Sequence, residues 1–60
     1  MDARMWWDNL SKGMRVRCWV ALGEKIPVVD RPYISHPYKH FLRATQIAID
    51  KYYKKSVKAK

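Results

Sequence analysis

Pro27, Pro32 and Pro37 stand five residues apart in the middle of a 60-residue chain, and no other proline occurs. Proline has no backbone N–H and clashes with the preceding helical turn, so no regular helix runs through this stretch. A sheet accepts it only at an edge or a bulge. The chain therefore reads as arm, connector, arm. Charge follows the same division. Residues 1–23 carry four basic against two acidic groups, for +2. Residues 24–37 hold Glu24, Lys25, Asp30 and Arg31, for zero, and residues 38–60 carry seven basic groups against Asp50, for +6.

The C-terminal arm has the plainest pattern. Stepping about 100° per residue from Tyr38, the residues Tyr38, Phe41, Leu42, Thr45, Ala48, Ile49, Tyr52 and Tyr53 fall within an arc of about 140°. Lys39, His40, Arg43, Gln46, Asp50, Lys51, Lys54 and Lys55 occupy the remainder. Ser35 is a candidate cap, Pro37 suits a first turn, and lysines crowd the end that the helix dipole favours for cations. This predicts a helix over about 36–55. Ile47 breaks the pattern by lying inside the charged face; it reads as an isolated surface isoleucine, with contact to a partner as the alternative.

The N-terminal arm supports two readings. As a helix over 2–22 it places Ala3, Trp6, Trp7, Leu10, Met14, Cys18 and Ala21 on one face, with Asp2 as cap and Gly23 as terminator. Gly13 then marks a break or bend, Arg17 intrudes on the apolar stripe, and Val16, Trp19 and Val20 point away. As a strand, residues 14–20 alternate between Met14, Val16, Cys18, Val20 and Arg15, Arg17, Trp19. A turn at Leu22-Gly23-Glu24-Lys25 would lead into 26–29. The Ala21-Leu22-Gly23 ending and the matched length of the arms favour the helix. The expected fold is mostly α, with two amphipathic helical arms at about 2–22, broken near Gly13, and about 36–55, joined by the proline-containing connector. The alternative is α+β, with a hairpin at 14–29 between two helices. Either forms one small domain over 1–60, with 56–60 a flexible basic tail. Trp6, Leu10 and Met14 are expected to pack against Phe41, Leu42 and Ile49.

Composition narrows function. Apolar residues make up 48% and aromatic residues 13%, too many for a disordered polyelectrolyte. A chain this short hides only about 60% of its unfolded surface, leaving little interior for a water-excluding catalytic site. Glycine-rich phosphate loops, a Gly-x-Ser-x-Gly frame and closely paired carboxylates are all missing, so an enzyme is not expected. No run of about 18 apolar residues predicts a membrane span, and the Met1 segment, with Asp2 and Asp8, does not read as a secretory signal. The lone Cys18 cannot form an internal disulfide, which points to the cytoplasm, another reducing compartment or an organelle interior. His36 and His40 have the spacing of ligands on one helical face, but the chain lacks the cysteine pair usual for structural zinc, so no metal or other cofactor is expected.

The strongest functional signal is a net charge of +8 at a pI near 10.0, interleaved with aromatic residues. Cations neutralise phosphates with release of counterions, and aromatic rings stack on unpaired bases. The expected contact residues are Lys12, Arg15, Arg17 and Trp19 in the first arm, Arg31 in the connector, and Lys39, Arg43, Lys51, Lys54 and Lys55 in the second. The stretch Arg17-Cys18-Trp19-Val20, then Lys25-Ile26-Pro27-Val28-Val29, then Arg31, Tyr33 and His36, resembles the middle of small phage excisionases over about 20 residues. The resemblance implies a recognition helix bearing Arg15, Arg17 and Trp19, a wing containing Arg31, and a basic C-terminal part that contacts DNA or an integrase. The expected function is nucleic-acid binding, with DNA ahead of RNA, or binding of another polyanion, by an architectural or accessory factor. The alternative is a non-catalytic subunit of a larger protein assembly such as a ribosome or a respiratory complex.

Overall fold

The computed structural model describes residues 2–57. Helix α1 (Ala3–Asp8) starts where expected, because Asp2 is extended and its carboxylate accepts the Met5 N–H at 3.0 Å. It stops after one and a half turns. The backbone N–H and the side-chain amide of Asn9 both donate to the Met5 carbonyl, at 3.1 and 2.8 Å. Two residues later Ser11 is extended, and its hydroxyl accepts the Met14 N–H at 3.3 Å to begin helix α2 (Lys12–Leu22). The expected single arm is thus two helices, and the break falls at 9–11 instead of Gly13. Two competing caps within three residues decide this, whereas Gly13 sits in the exposed first turn of α2 with open space where a side chain would project.

Gly23 ends α2 as expected. Its φ of +50° is a conformation that L side chains rarely adopt, and its N–H closes onto the Trp19 carbonyl. A single 3₁₀ turn follows at Gly23–Lys25. The described residues contain no strand, so the hairpin alternative at 14–29 is not formed. After Ile26 the backbone folds into consecutive turns. Asp30 N–H donates to the Pro27 carbonyl, Arg31 to Val28, Tyr33 to Asp30 and His36 to Tyr33, at 2.9–3.2 Å.

The C-terminal helix starts later than the periodicity predicts. Residues 38–40 form a separate 3₁₀ turn, Phe41 is extended, and α3 runs Arg43–Val57. The expected Ser35 cap is not used. Instead Asp30, from the connector, accepts the Leu42 N–H at 3.0 Å and the Thr45 hydroxyl, serving the first turn of α3 from a distance. Gln46 adds a bond from its amide to the Tyr38 carbonyl at 3.0 Å. The helix continues past the expected limit of 55, so Ser56 and Val57 are helical, while the rest of the expected tail, 58–60, lies outside the described residues.

The core forms around Trp7, which is fully buried. Its ring lies 5.2 Å from Trp19 and 5.6 Å, edge-on, from Phe41, while Trp19 and Phe41 are 5.4 Å apart. Such tilted and T-shaped pairs add to plain area burial. Cys18, Leu22, Ile26, Ala48 and Ile49 complete the cluster, and both α1 and α2 lie against α3. Of the expected contacts, Phe41 and Ile49 are buried and Trp6 and Leu10 are half-buried, but Met14 and Leu42 are exposed. A single helical wheel cannot be carried across 9–11, so the inward face of α2 rotates from Met14 and Ala21 toward Arg15, Cys18, Trp19 and Leu22. The radius of gyration, 10.4 Å, agrees with the value of about 10 Å expected for a compact chain this long.

Candidate nucleic-acid interface

On α3 the apolar and basic faces separate as the sequence implies. Thr45, Ala48, Ile49 and Tyr53 are buried, and Tyr52 is half-buried. Arg43, Ala44, Ile47, Lys51, Lys54 and Lys55 fall on the opposite arc of about 120°, and all are exposed. Four of the expected contact residues therefore share one open surface, with Ile47 among them. Lys39, also exposed, belongs to the preceding 3₁₀ turn, and Lys12 and Arg17 are exposed on α2.

The other expected contacts have work inside the fold. Arg15 turns inward, donating to the carbonyls of Ile34 at 3.3 Å and Trp7 at 3.1 Å, with its guanidinium 4.8 Å from the centre of a Trp7 ring. Its Nε is buried with no hydrogen-bond partner among the described residues. Trp19, expected to stand free of the core, packs on Trp7 and Phe41 and donates its indole N–H to the Arg31 carbonyl at 3.0 Å. Arg31 is exposed, yet its Nε donates to the Ile26 carbonyl at 2.9 Å. Trp7 likewise holds the His36 carbonyl at 3.0 Å. Irregular backbone has no ladder to satisfy its carbonyls, so long donor side chains from α1 and α2 supply what the connector lacks. Of Arg15, Arg17 and Trp19, only Arg17 projects outward.

Most of the carboxylates are engaged in hydrogen bonds within the fold. Asp2 accepts the Met5 N–H, Asp8 the Tyr38 N–H at 2.9 Å, Asp50 the Tyr38 hydroxyl at 2.8 Å, and Asp30 the pair already described. Four of the five acidic residues thus bond neutral donors that shape the fold. The Met5 N–H holds Asp2 below the usual carboxylate range. Burial, with the Asp50 hydrogen bond and charge, pushes the Tyr38 hydroxyl up to about 12.

Two cavities flank α3. One, of about 410 Å³, lies between α1 and α3 and mixes signs, with Arg4, Lys54, Asp2 and Asp50 all in its lining. The other, of about 400 Å³, lies between the end of α2 and the middle of α3. Among the described residues, the charged groups lining it are Lys25, Lys51 and Lys55. Lys25 was not among the expected contacts. Its sequence neighbourhood is electrically neutral, and only the fold brings it beside lysines 26 and 30 positions away. His36 and His40 do not share a helical face. Their rings meet edge-on at 5.8 Å across a bend, and His36 stacks on Tyr33 at 4.6 Å. Cys18 is wholly buried, and burial pushes its thiol up to about 12, so it packs as a small hydrophobe.

Fold and surface together define a small, compact helical protein with a basic face on α3. No described helix is long and apolar enough to cross a membrane. Comparison with protein-family models, with curated proteins and with solved structures finds no match to this chain.

Proposed function

We propose that this protein binds nucleic acid through the outer face of α3 and acts by binding, without catalysing a reaction. One observation carries the reading. Arg43, Lys51, Lys54 and Lys55 share an exposed surface on α3, a helix whose one acidic residue, Asp50, is half-buried and bonded to the Tyr38 hydroxyl. A row of cations left in this state attracts a phosphate backbone by counterion release. Solubility alone needs a net charge of only about 2–8 with both signs interspersed, so segregation onto one face favours a partner. Each phosphate contact adds about −0.9 to the slope of log K against log salt on duplex DNA and about −0.7 on a single strand. Replacing Lys51, Lys54 and Lys55 together with Gln is expected to flatten that slope by up to roughly three contacts' worth, with the melting temperature unchanged. Equal binding of DNA and RNA by variant and wild type across a salt titration would remove this reading.

A second reading, a non-catalytic subunit of a larger assembly, is favoured by the outer face of α2. Val16 and Val20, one turn apart, are exposed there, Val20 to 76%, beside Arg17. Apolar groups gathered on one helix face suit a protein partner. Cooperative melting of the isolated chain supports the free-standing binder, and a broad transition that sharpens only in a complex supports the subunit.

A further inference from the structure

The cavity between α2 and α3 carries lysine as its charged residue type among the described residues. It is lined by the apolar Ala21, Leu22 and Ala48, by Tyr52, and by Lys25, Lys51 and Lys55. Lys25 comes from the 3₁₀ turn after α2, and the other two come from successive turns of α3, so cations flank the space from two different elements. Tyr52 is half-buried, and its ring is supported by Trp6 at 6.0 Å. The volume, about 400 Å³, lies in the range of a small-ligand site.

We propose that this groove receives one unpaired nucleotide of a bound strand, so that the protein prefers single-stranded to duplex nucleic acid. The proposal rests on the nucleic-acid reading above and adds the form of the ligand. A nucleotide within a strand carries a phosphate on either side of its base, which suits a space lined by apolar groups, a tyrosine ring and cations from two elements. Aromatic walls accept any base because every base has a π face. A duplex keeps its bases stacked inside and can offer one only after flipping it out. The mixed-sign cavity beside α1 lacks this complementarity, because Asp2 and Asp50 line it together with its cations.

The test compares an oligothymidylate of about a dozen nucleotides with a duplex of equal length, by fluorescence anisotropy over a salt series. The wild type is expected to bind the single strand about tenfold more tightly, in line with the contribution of base stacking to such sites. Ala21 is exposed, so Ala21→Trp fills the groove without entering the core, and circular dichroism confirms that the variant is folded. It is expected to abolish the preference while leaving duplex affinity within about twofold, the duplex being held by phosphate contacts alone. Lys25→Gln, an independent surface change, is expected to flatten the single-strand slope by about 0.7 and leave the duplex slope unchanged. If the wild type binds both ligands equally, or both variants keep the preference, the groove proposal is overturned while the α3 reading stands. Inorganic polyphosphate that competes as well as the oligonucleotide, phosphate for phosphate, also overturns it, since no base is then required. Failure of the wild type to bind either ligand removes both proposals together.

Discussion

Helices α2 and α3 carry similar cationic endowments and use them in opposite ways. On α2, Arg15 turns inward and donates to the carbonyls of Ile34 in the connector and Trp7 in α1, while on α3 every described lysine is exposed. The difference lies in what each helix packs against. The connector, 26–42, is almost all turns, and its carbonyls need donors from elsewhere. Arginine, with five N–H groups and a flat face for Trp7, suits that task, whereas lysine is a strongly hydrated point charge that favours water. Helix α3 buries hydroxyl, alkyl and aromatic groups and requires no cation inside. A basic residue in such a small fold therefore belongs to the scaffold or the surface according to its neighbours, and charge counts alone do not separate the two.

The largest expected effect breaks the scaffold on which both helices depend. Trp7 is fully buried and also donates to the His36 carbonyl. Trp7→Ala is expected to cost about 3–5 kcal/mol. A chain of this length has roughly 3–9 kcal/mol of total stability, so the variant should lose its cooperative melt. Trp6→Ala, at a half-buried site, should remain folded.

Asp30 links the connector to α3 and comes next. Asp30→Ala leaves the Leu42 N–H and the Thr45 hydroxyl without their acceptor, at a cost of about 2–4 kcal/mol in denaturant unfolding. Asp30→Asn keeps an acceptor oxygen and should lose less. Equal losses would show that charge, and not acceptance, is what the site uses.

Arg15 and Arg17 sharpen the contrast within one helix. Arg15→Ala is expected to destabilise by about 1.5–3 kcal/mol, because its hydrogen bonds come from a charged group. Arg17→Ala should stay within about 0.5 kcal/mol of wild type, as exposed substitutions do. If Arg17→Ala proved the more destabilising, the assignment of one arginine to the scaffold and the other to the surface would be reversed.

The smallest effect is in alkali. Cys18 on α2 is raised from 9.0 to about 12 by burial. Tyr38, bonded to Asp50 on α3, is raised from 10.0 to about 12. Each keeps its proton in the folded chain after the unfolded chain has released it. Their stabilisation is therefore complete below pH 9.0 and declines as the pH rises toward about 12. Melting temperatures measured through that window should fall, less steeply for Cys18→Ala and for Tyr38→Phe. Identical slopes in both variants and wild type would detach the decline from these two groups.

Much of this molecule was legible in its residues one turn at a time. Asp2 caps, Gly23 terminates, Cys18 is buried, and the period from Thr45 to Tyr53 separates core from basic face on α3, because each signal acts within four residues along the chain. The break at 9–11 was local too, written in Asn9 and Ser11, but the nearby glycine is the louder signal by propensity. The rest depended on partners 12–30 positions away. Asp30 starts α3 from the connector, Asp8 holds Tyr38, Trp7 holds His36, and Lys25 meets Lys51 and Lys55. Helical periodicity says which residues share a face but not what that face will meet. Sequence by itself determined the helices and the excess of charge, and only tertiary packing, by deciding which buried carbonyls needed donors, divided the basic residues between scaffold and surface.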